Sequence, residues 1–212
     1  MVKAFVGSNP TPRTKFAQDL RGFKLIPLSF VGSLRSLCDE TLKRLIEKSL
    51  LDILVWVMLS EIENKIEATK KALRSINYVV KEVSTQEFID YMTGEIFSED
   101  TTTLDDVLGS EYLMAHELVE INELKQMERT IDKRVIVDSP KTIIYDAHLT
   151  AMETELDYAL YKRDYFWVKI RLGQHKESVL DNDPNLPEEM RPRAEKLFEK
   201  FRKVIQNRKE IG

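Results

Sequence analysis

The chain's 212 residues are 42% hydrophobic and 32% charged with a net charge of -4, too apolar and too nearly neutral for a disordered polymer and enough to build one packed domain. A single cysteine, Cys38, excludes an internal disulfide framework and a cysteine-based zinc knuckle, and favours a reducing, cytoplasmic setting. The longest apolar run, Leu50 to Leu59, carries Asp52 and is about half the roughly 20 residues that a membrane-spanning helix needs, so no membrane segment is expected.

The charge is unevenly distributed. Residues 1–37 hold six basic side chains (Lys3, Arg13, Lys15, Arg21, Lys24, Arg35) against the one acid Asp19, a net +5. This leaves 26 basic against 35 acidic residues from 38 to 212, a net -9. Three glycines (Gly7, Gly22, Gly32) and three prolines (Pro10, Pro12, Pro27) in the first 32 residues predict an irregular arm rather than helix. Six charges spread among Phe5, Phe16, Phe23 and Phe30 make a dilute footprint for a phosphate backbone, so nucleic-acid binding is not expected. The run Val6-Gly7-Ser8-Asn9-Pro10-Thr11-Pro12-Arg13-Thr14 resembles the in-frame translation of a transfer-RNA T arm running into an acceptor stem. That resemblance implies translation starting further down, at Met58 or at a Val or Leu codon between about 50 and 57, with the arm carrying no function.

From Asp39 to Arg74 the chain has no Gly or Pro, and Leu42, Leu45, Ile46, Leu50, Ile53, Leu54, Val57, Ile62 and Ile66 recur at spacings of three and four. This predicts a long helix with one apolar stripe. Ile76 to Val83 is read as a connector or helix continuation, since one β-rich run has no evident partner strand. Ser84-Thr85-Gln86-Glu87 has the pattern of an N-cap with an acid in the first turn, opening a short helix that Gly94 ends. The Thr- and Asp-rich stretch 98–110 reads as a loop or hinge. Ser110 then caps a helix to about Thr130, and Ser139-Pro140 opens another to about Lys162. A further helix is expected from Asp164 to about Leu180, and Asn182 to Pro187 is a turn. The last helix spans Glu188 to about Lys209, with Pro192 either tolerated in its first turn or marking its true start. The expected architecture is therefore all-α: a helical bundle with antiparallel hairpins, forming a single domain over 38–212 behind the irregular arm of 1–37.

Ala115-His116 followed after six residues by Glu123-Leu124 is matched by Ala147-His148 followed after six by Glu155-Leu156. Counting along an antiparallel helix pair sets His116 against Glu155 and His148 against Glu120 or Glu123, the two pairs about 10 Å apart. Read plainly, these are His–carboxylate hydrogen bonds at a helix interface. The sharper reading is a divalent-metal site drawn from His116, Glu117, Glu120, Glu123, His148 and Glu155, since carboxylates projecting from facing helices can hold Mg²⁺ or Mn²⁺. All-α nucleoside triphosphate pyrophosphohydrolases use helix-borne acids in this way. Here His116 stands where their first Glu belongs, and Glu153 and Asp157 are spaced by four rather than three.

Tyr161-Lys162-Arg163-Asp164-Tyr165, with Asp183-Pro184-Asn185 after it, resembles the middle and end of a tetratricopeptide repeat, Arg163 standing where the turn glycine usually sits. It occurs once, so it implies a helical hairpin and not a solenoid. The aromatic cluster Tyr161, Tyr165, Phe166 and Trp167, with Lys162, Arg163, Lys169 and Arg171 around it, reads either as core residues with snorkelling bases or as the candidate binding surface. No Gly-x-Ser-x-Gly, Gly-rich phosphate loop or neighbouring Cys and His is present, which leaves only carboxylate and histidine chemistry for catalysis. The expected role is protein interaction or assembly without a cofactor, through a partner protein or a second copy of the chain. The alternative is a divalent-metal-dependent phosphohydrolase of the all-α type, which would take Mg²⁺ or Mn²⁺.

Overall fold

Among the described residues, those that start and stop each helix are local to its ends. In the structure, a computed structural model that describes residues 40–97 and 102–209, eight α-helices and one π-helical segment carry most of the described backbone, and no strand is present among the described residues. The protein is all-α. The helices are α1 (Glu40–Arg74), α2 (Thr85–Met92), α3 (Leu104–Gly109), α4 (Glu111–Gln126), α5 (Val135–Asp138), α6 (Lys141–Tyr161), α7 (Tyr165–Gln174) and α8 (Arg191–Lys209). The π-helical segment, His175–Asp181, continues directly from α7. The basic arm of residues 1–37 lies outside the described residues, whereas the rest of the stretch ahead of the expected start, from residue 40 to a codon between about 50 and Met58, forms the first half of α1.

Side chains write the helix starts. Ser84 Oγ accepts from the Glu87 backbone N–H at 3.2 Å while Glu87 Oε2 accepts from the Ser84 N–H at 2.8 Å, a reciprocal capping box. Thr103 and Asp106 repeat that device, with Asp106 N–H donating to Thr103 Oγ1 at 3.2 Å and Thr103 N–H to Asp106 Oδ2 at 3.0 Å. The stretch expected as a loop or hinge therefore contains helix α3, because threonine and aspartate serve a cap as readily as a turn. Ser110 caps α4 and Asp164 caps α7 through the Trp167 N–H at 2.9 Å.

Helix ends are less orthodox. α1, α4 and α6 each close on a residue in the left-handed region, Asn77 (φ 63°), Glu128 (φ 60°) and Arg163 (φ 62°). At each, the next amide reaches back across the last turn: Tyr78 N–H to Leu73 O at 3.1 Å, Arg129 N–H to Leu124 O at 2.9 Å, and Asp164 N–H to Ala159 O at 2.9 Å. This is the Schellman closure, built here without the glycine that ordinarily occupies it. Four boundaries differ from expectation. α4 ends at Gln126 instead of Thr130, the helix expected from 164 to 180 turns π-helical at His175, α5 was not foreseen, and α8 starts at Arg191, so Pro192 lies in its first turn.

The chain divides into two compact units, one up to Ser60 and one from Glu61. Within the second unit, Ile62, Ile66 and Leu73 of α1 are buried at the i, i+4, i+11 spacing of one helix face. The core of this unit is the α4–α6 pairing. Its hydrogen bonds run in opposite sequence directions, Glu111 with Tyr158, His116 with Glu155 and Glu120 with His148, so the two helices lie antiparallel. Fully buried Ala115, Ala147, Ala151 and Ala159 thin this interface, and Leu118, Ile121, Leu149 and Leu156 fill it. Ion pairs from α8 to α6 rise together, Arg193 to Asp146 and Lys200 to Glu153 and Asp157, which sets α8 parallel to α6. The connector after α1 lies on α4: Lys81 N–H donates to Asn122 Oδ1 at 2.8 Å, and Val80 and Val83 are buried. Gly94 closes α2 against the loop before α5. A Cβ there would stand 2.7 Å from the Lys133 carbonyl oxygen, so no larger residue fits without moving backbone.

Candidate functional site

The α4–α6 interface carries a buried polar cluster. On α4, His116 and Glu120 are one turn apart and share a face. On α6, His148 and Glu155 meet them from the opposite direction. His116 Nδ1 donates to Glu155 Oε2 at 2.9 Å, and its Nε2 lies 3.3 Å from Glu120 Oε2 and 3.3 Å from His148 Nδ1. His148 Nδ1 is in turn 3.2 Å from Glu120 Oε2. His116 Nε2, Glu120 Oε2 and His148 Nδ1 thus form a nearly equilateral triangle. These three residues are the one group of histidines and acids among the described residues whose ligand atoms converge as a metal would require. The two rings stand edge to face, their centroids 4.9 Å apart.

The two expected His–carboxylate pairs are both present, but they are not about 10 Å apart. His148 takes Glu120, one turn from His116, and not Glu123 at two turns, so the pairs fuse into one cluster through Glu120. Glu123 stands outside it and accepts from the Tyr78 hydroxyl and, at 3.0 Å, from Gln126 Nε2. Glu117 also lies outside the converging group. The outer acids Glu153 and Asp157 both hold Lys200, at 2.8 and 3.0 Å.

Glu155 is the most heavily engaged group. Fully buried, it accepts from His116 Nδ1, from Trp167 Nε1 at 2.7 Å, and from Arg171 twice, Nε at 2.7 Å and Nη2 at 3.0 Å. Burial alone would raise its carboxyl, but the hydrogen bond from His116 and the Arg171 charge outweigh that and hold it down to about 2. His116 shows the reverse balance. Burial pulls the imidazole down, and the hydrogen bonds to Glu120 and Glu155 more than restore it, so the ring sits up at about 10. For Glu120, burial raises the carboxyl while His116 and His148 hold it well below the usual carboxylate range. The composite is an imidazolium held between two carboxylates, one of which is also bound by a guanidinium.

Arg171 and Trp167 were not foreseen as partners of Glu155. They lie four apart on α7, and only the left-handed turn at Arg163 folds that face back onto α6. Trp167, read as core or as part of a binding surface, is half-buried with its Nε1 turned inward and its ring 4.9 Å from Tyr112. Its neighbours divide: Tyr161 and Phe166 are exposed, Phe166 by 75%, while Tyr165 is half-buried. His175 opens the π-helical segment, buried, with Nε2–H donating to Ala194 O at 3.1 Å and no hydrogen-bond partner for Nδ1. Burial pushes this ring down to about 4, so it is neutral at pH 7.

The first half of α1 is a second candidate surface. Ile46, Leu50, Leu51, Ile53, Leu54, Val55, Trp56 and Val57 are all exposed, Trp56 by 68%. No described helix is long and apolar enough to cross a membrane. No protein-family model, curated protein or solved structure matches this chain, so the geometry alone carries the functional reading.

Proposed function

We propose that this protein is an interaction and assembly module whose docking element is the first half of α1, a reading that takes residues 46–57 as translated instead of lying ahead of a start at Met58. The observation that carries this reading is the exposure of eight large apolar side chains within the twelve residues 46–57. Contiguous apolar surface of that kind marks an interaction site in a folded protein. Its spacing supports a helical partner: Ile46, Leu50, Ile53 and Val57 fall at i, i+4, i+7 and i+11, the d-a-d-a seam of a coiled coil over two heptads. Leu51, Val55 and Trp56 lie off that seam. A helix apolar on nearly every side is suited to the interior of a multi-helix bundle more than to a two-stranded pair. The simplest partner is a second copy of the chain.

The phosphohydrolase alternative has weaker support. Mg²⁺ takes oxygen ligands in octahedral array, while four of the acids that would supply them, Glu123, Glu153, Asp157 and Glu155, are held by Tyr78, Lys200, Arg171 and Trp167. The assembly reading is tested by light-scattering mass across a concentration series. The wild type should be oligomeric, and Leu50→Glu with Ile53→Glu should yield a monomer of unchanged helix content. A wild-type chain that is monomeric at its highest soluble concentration would overturn self-assembly.

A further inference from the structure

We infer that His116, Glu120 and His148 form a three-ligand, open-sided site for a tetrahedral divalent transition metal of the zinc type. The inference is independent of the assembly role of α1.

Spacing is the first argument. Zn²⁺ binds imidazole nitrogen and carboxylate oxygen at roughly 2.0–2.1 Å, which places neighbouring donor atoms of a tetrahedron roughly 3.3–3.4 Å apart. The triangle edges here are 3.3, 3.3 and 3.2 Å. An octahedral ion at the same bond length, such as Mg²⁺, would need its neighbouring donors roughly 2.8–3.0 Å apart and prefers oxygen throughout. Two imidazoles and one carboxylate are the donor set of a borderline ion.

Proton counting is the second argument. An imidazole nitrogen carries either a hydrogen or a lone pair. An ionised Glu120 accepts from both rings only if both nitrogens are protonated, and two N–H groups then face each other across the 3.3 Å contact. Deprotonating one of them settles that contact and sets a lone pair against the carboxylate. No placement of protons satisfies all three edges, whereas a cation at the centre takes three lone pairs at once.

Support around the triangle is the third. The Glu155 carboxylate accepts from His116 Nδ1, which leaves Nε2 to face the triangle, and Glu155 is itself fixed by Arg171 and Trp167. A carboxylate behind a ligating histidine is the usual device for setting its tautomer and orientation. Access comes from the α6 side. His148 is 29% exposed, while His116 and Glu120 are nearly inaccessible. A metal seated on the three atoms would keep a fourth vertex for water or a small anion, as open zinc sites do.

The test uses the full-length chain, stripped with a chelator and titrated with Co²⁺ and Zn²⁺. Expected are one ion per chain by native mass spectrometry, the intense visible absorption of tetrahedral Co²⁺, and a melting temperature raised by Zn²⁺ but not by Mg²⁺. His148→Ala should weaken binding by more than the roughly 10- to 100-fold that supporting residues cost. Glu120→Gln, read by the same titration, serves if the first variant fails to fold. Absence of saturable binding at one per chain, weak bands of six-coordinate Co²⁺, an equal response to Mg²⁺, or undiminished affinity in both variants would each overturn the site.

Discussion

The α4–α6 interface and the first half of α1 invert the usual placement of side chains, in opposite senses. At the interface, His116, Glu120, Asn122 and Glu155 are buried in the middle of a helix pair. On α1, residues 46–57 present leucine, isoleucine, valine and tryptophan outward. The difference shows what burial requires. A charge can enter a core when every donor and acceptor has a counterpart, as Glu155 has with its four hydrogen bonds, and an apolar side chain outside the core implies surface still to be covered. The second half of the same helix makes the contrast sharper, because Ile62, Ile66 and Leu73 are buried.

The buried side of the comparison should break hardest. Glu155→Gln leaves Arg171 and His116 without their shared buried carboxylate, and loss of one partner of such a set costs about 3–5 kcal/mol. Chemical denaturation of the purified variant should show a loss of that size, and a loss below 1 kcal/mol would mean that the cluster adds little.

Protonation probes the same cluster together with His175, and spreads its effect over several pH units. His116 is raised from 6.5 to about 10, so its contribution is complete below pH 6.5 and lost as pH rises through 10. His175 is lowered from 6.5 to about 4, so its neutral burial costs stability as pH falls from 6.5 towards 4. The lowered carboxyl of Glu155 adds a further loss below 4.5, down to about 2. Stability of the metal-free protein should therefore peak near pH 6.5, each histidine contributing a slope of at most about 1.4 kcal/mol per pH unit. Melting temperature against pH reads this directly, and a plateau from 6.5 to 9 would show that His116 is not held charged.

The exposed side should respond least. Trp56→Gln removes a large apolar side chain, yet in a dissociated chain it should change unfolding free energy by no more than about 0.5 kcal/mol. Denaturation at low and high protein concentration distinguishes the cases. A large loss in the dilute chain would place Trp56 in a core instead of at a docking surface.

Much of this was legible in the sequence where the cause is local. The caps at Ser84 and Ser110, the start after Pro140 and the unbroken α1 all follow from residues within a turn of the boundary. So did the pairing of His116 with Glu155, because antiparallel helices convert sequence spacing into register. Thr103 and Asp106 failed the same approach, since a capping pair in a Thr- and Asp-rich stretch has the composition of a loop. Counting left His148 with Glu120 or Glu123, and its pairing with Glu120 brings two pairs expected about 10 Å apart into one cluster. Arg171 and Trp167 reach Glu155 only after the chain reverses at Arg163, and no spacing along the sequence encodes a contact made through that reversal.

That reversal has a consequence for how the protein can change. Asn77, Glu128 and Arg163 are exposed corners where a side chain occupies backbone territory that favours glycine, at a strain of roughly 1–2 kcal/mol each for ordinary residues. None of the three lends a side chain to the His–Glu triangle or to residues 46–57, although the turn at Arg163 must be kept for Trp167 and Arg171 to reach Glu155. They act as trim settings: a change that keeps the left-handed turn, such as glycine, can shift the thermal tolerance of the whole chain while the chemistry and the docking surface stay as they are, so adaptation to temperature need not compete with adaptation of function.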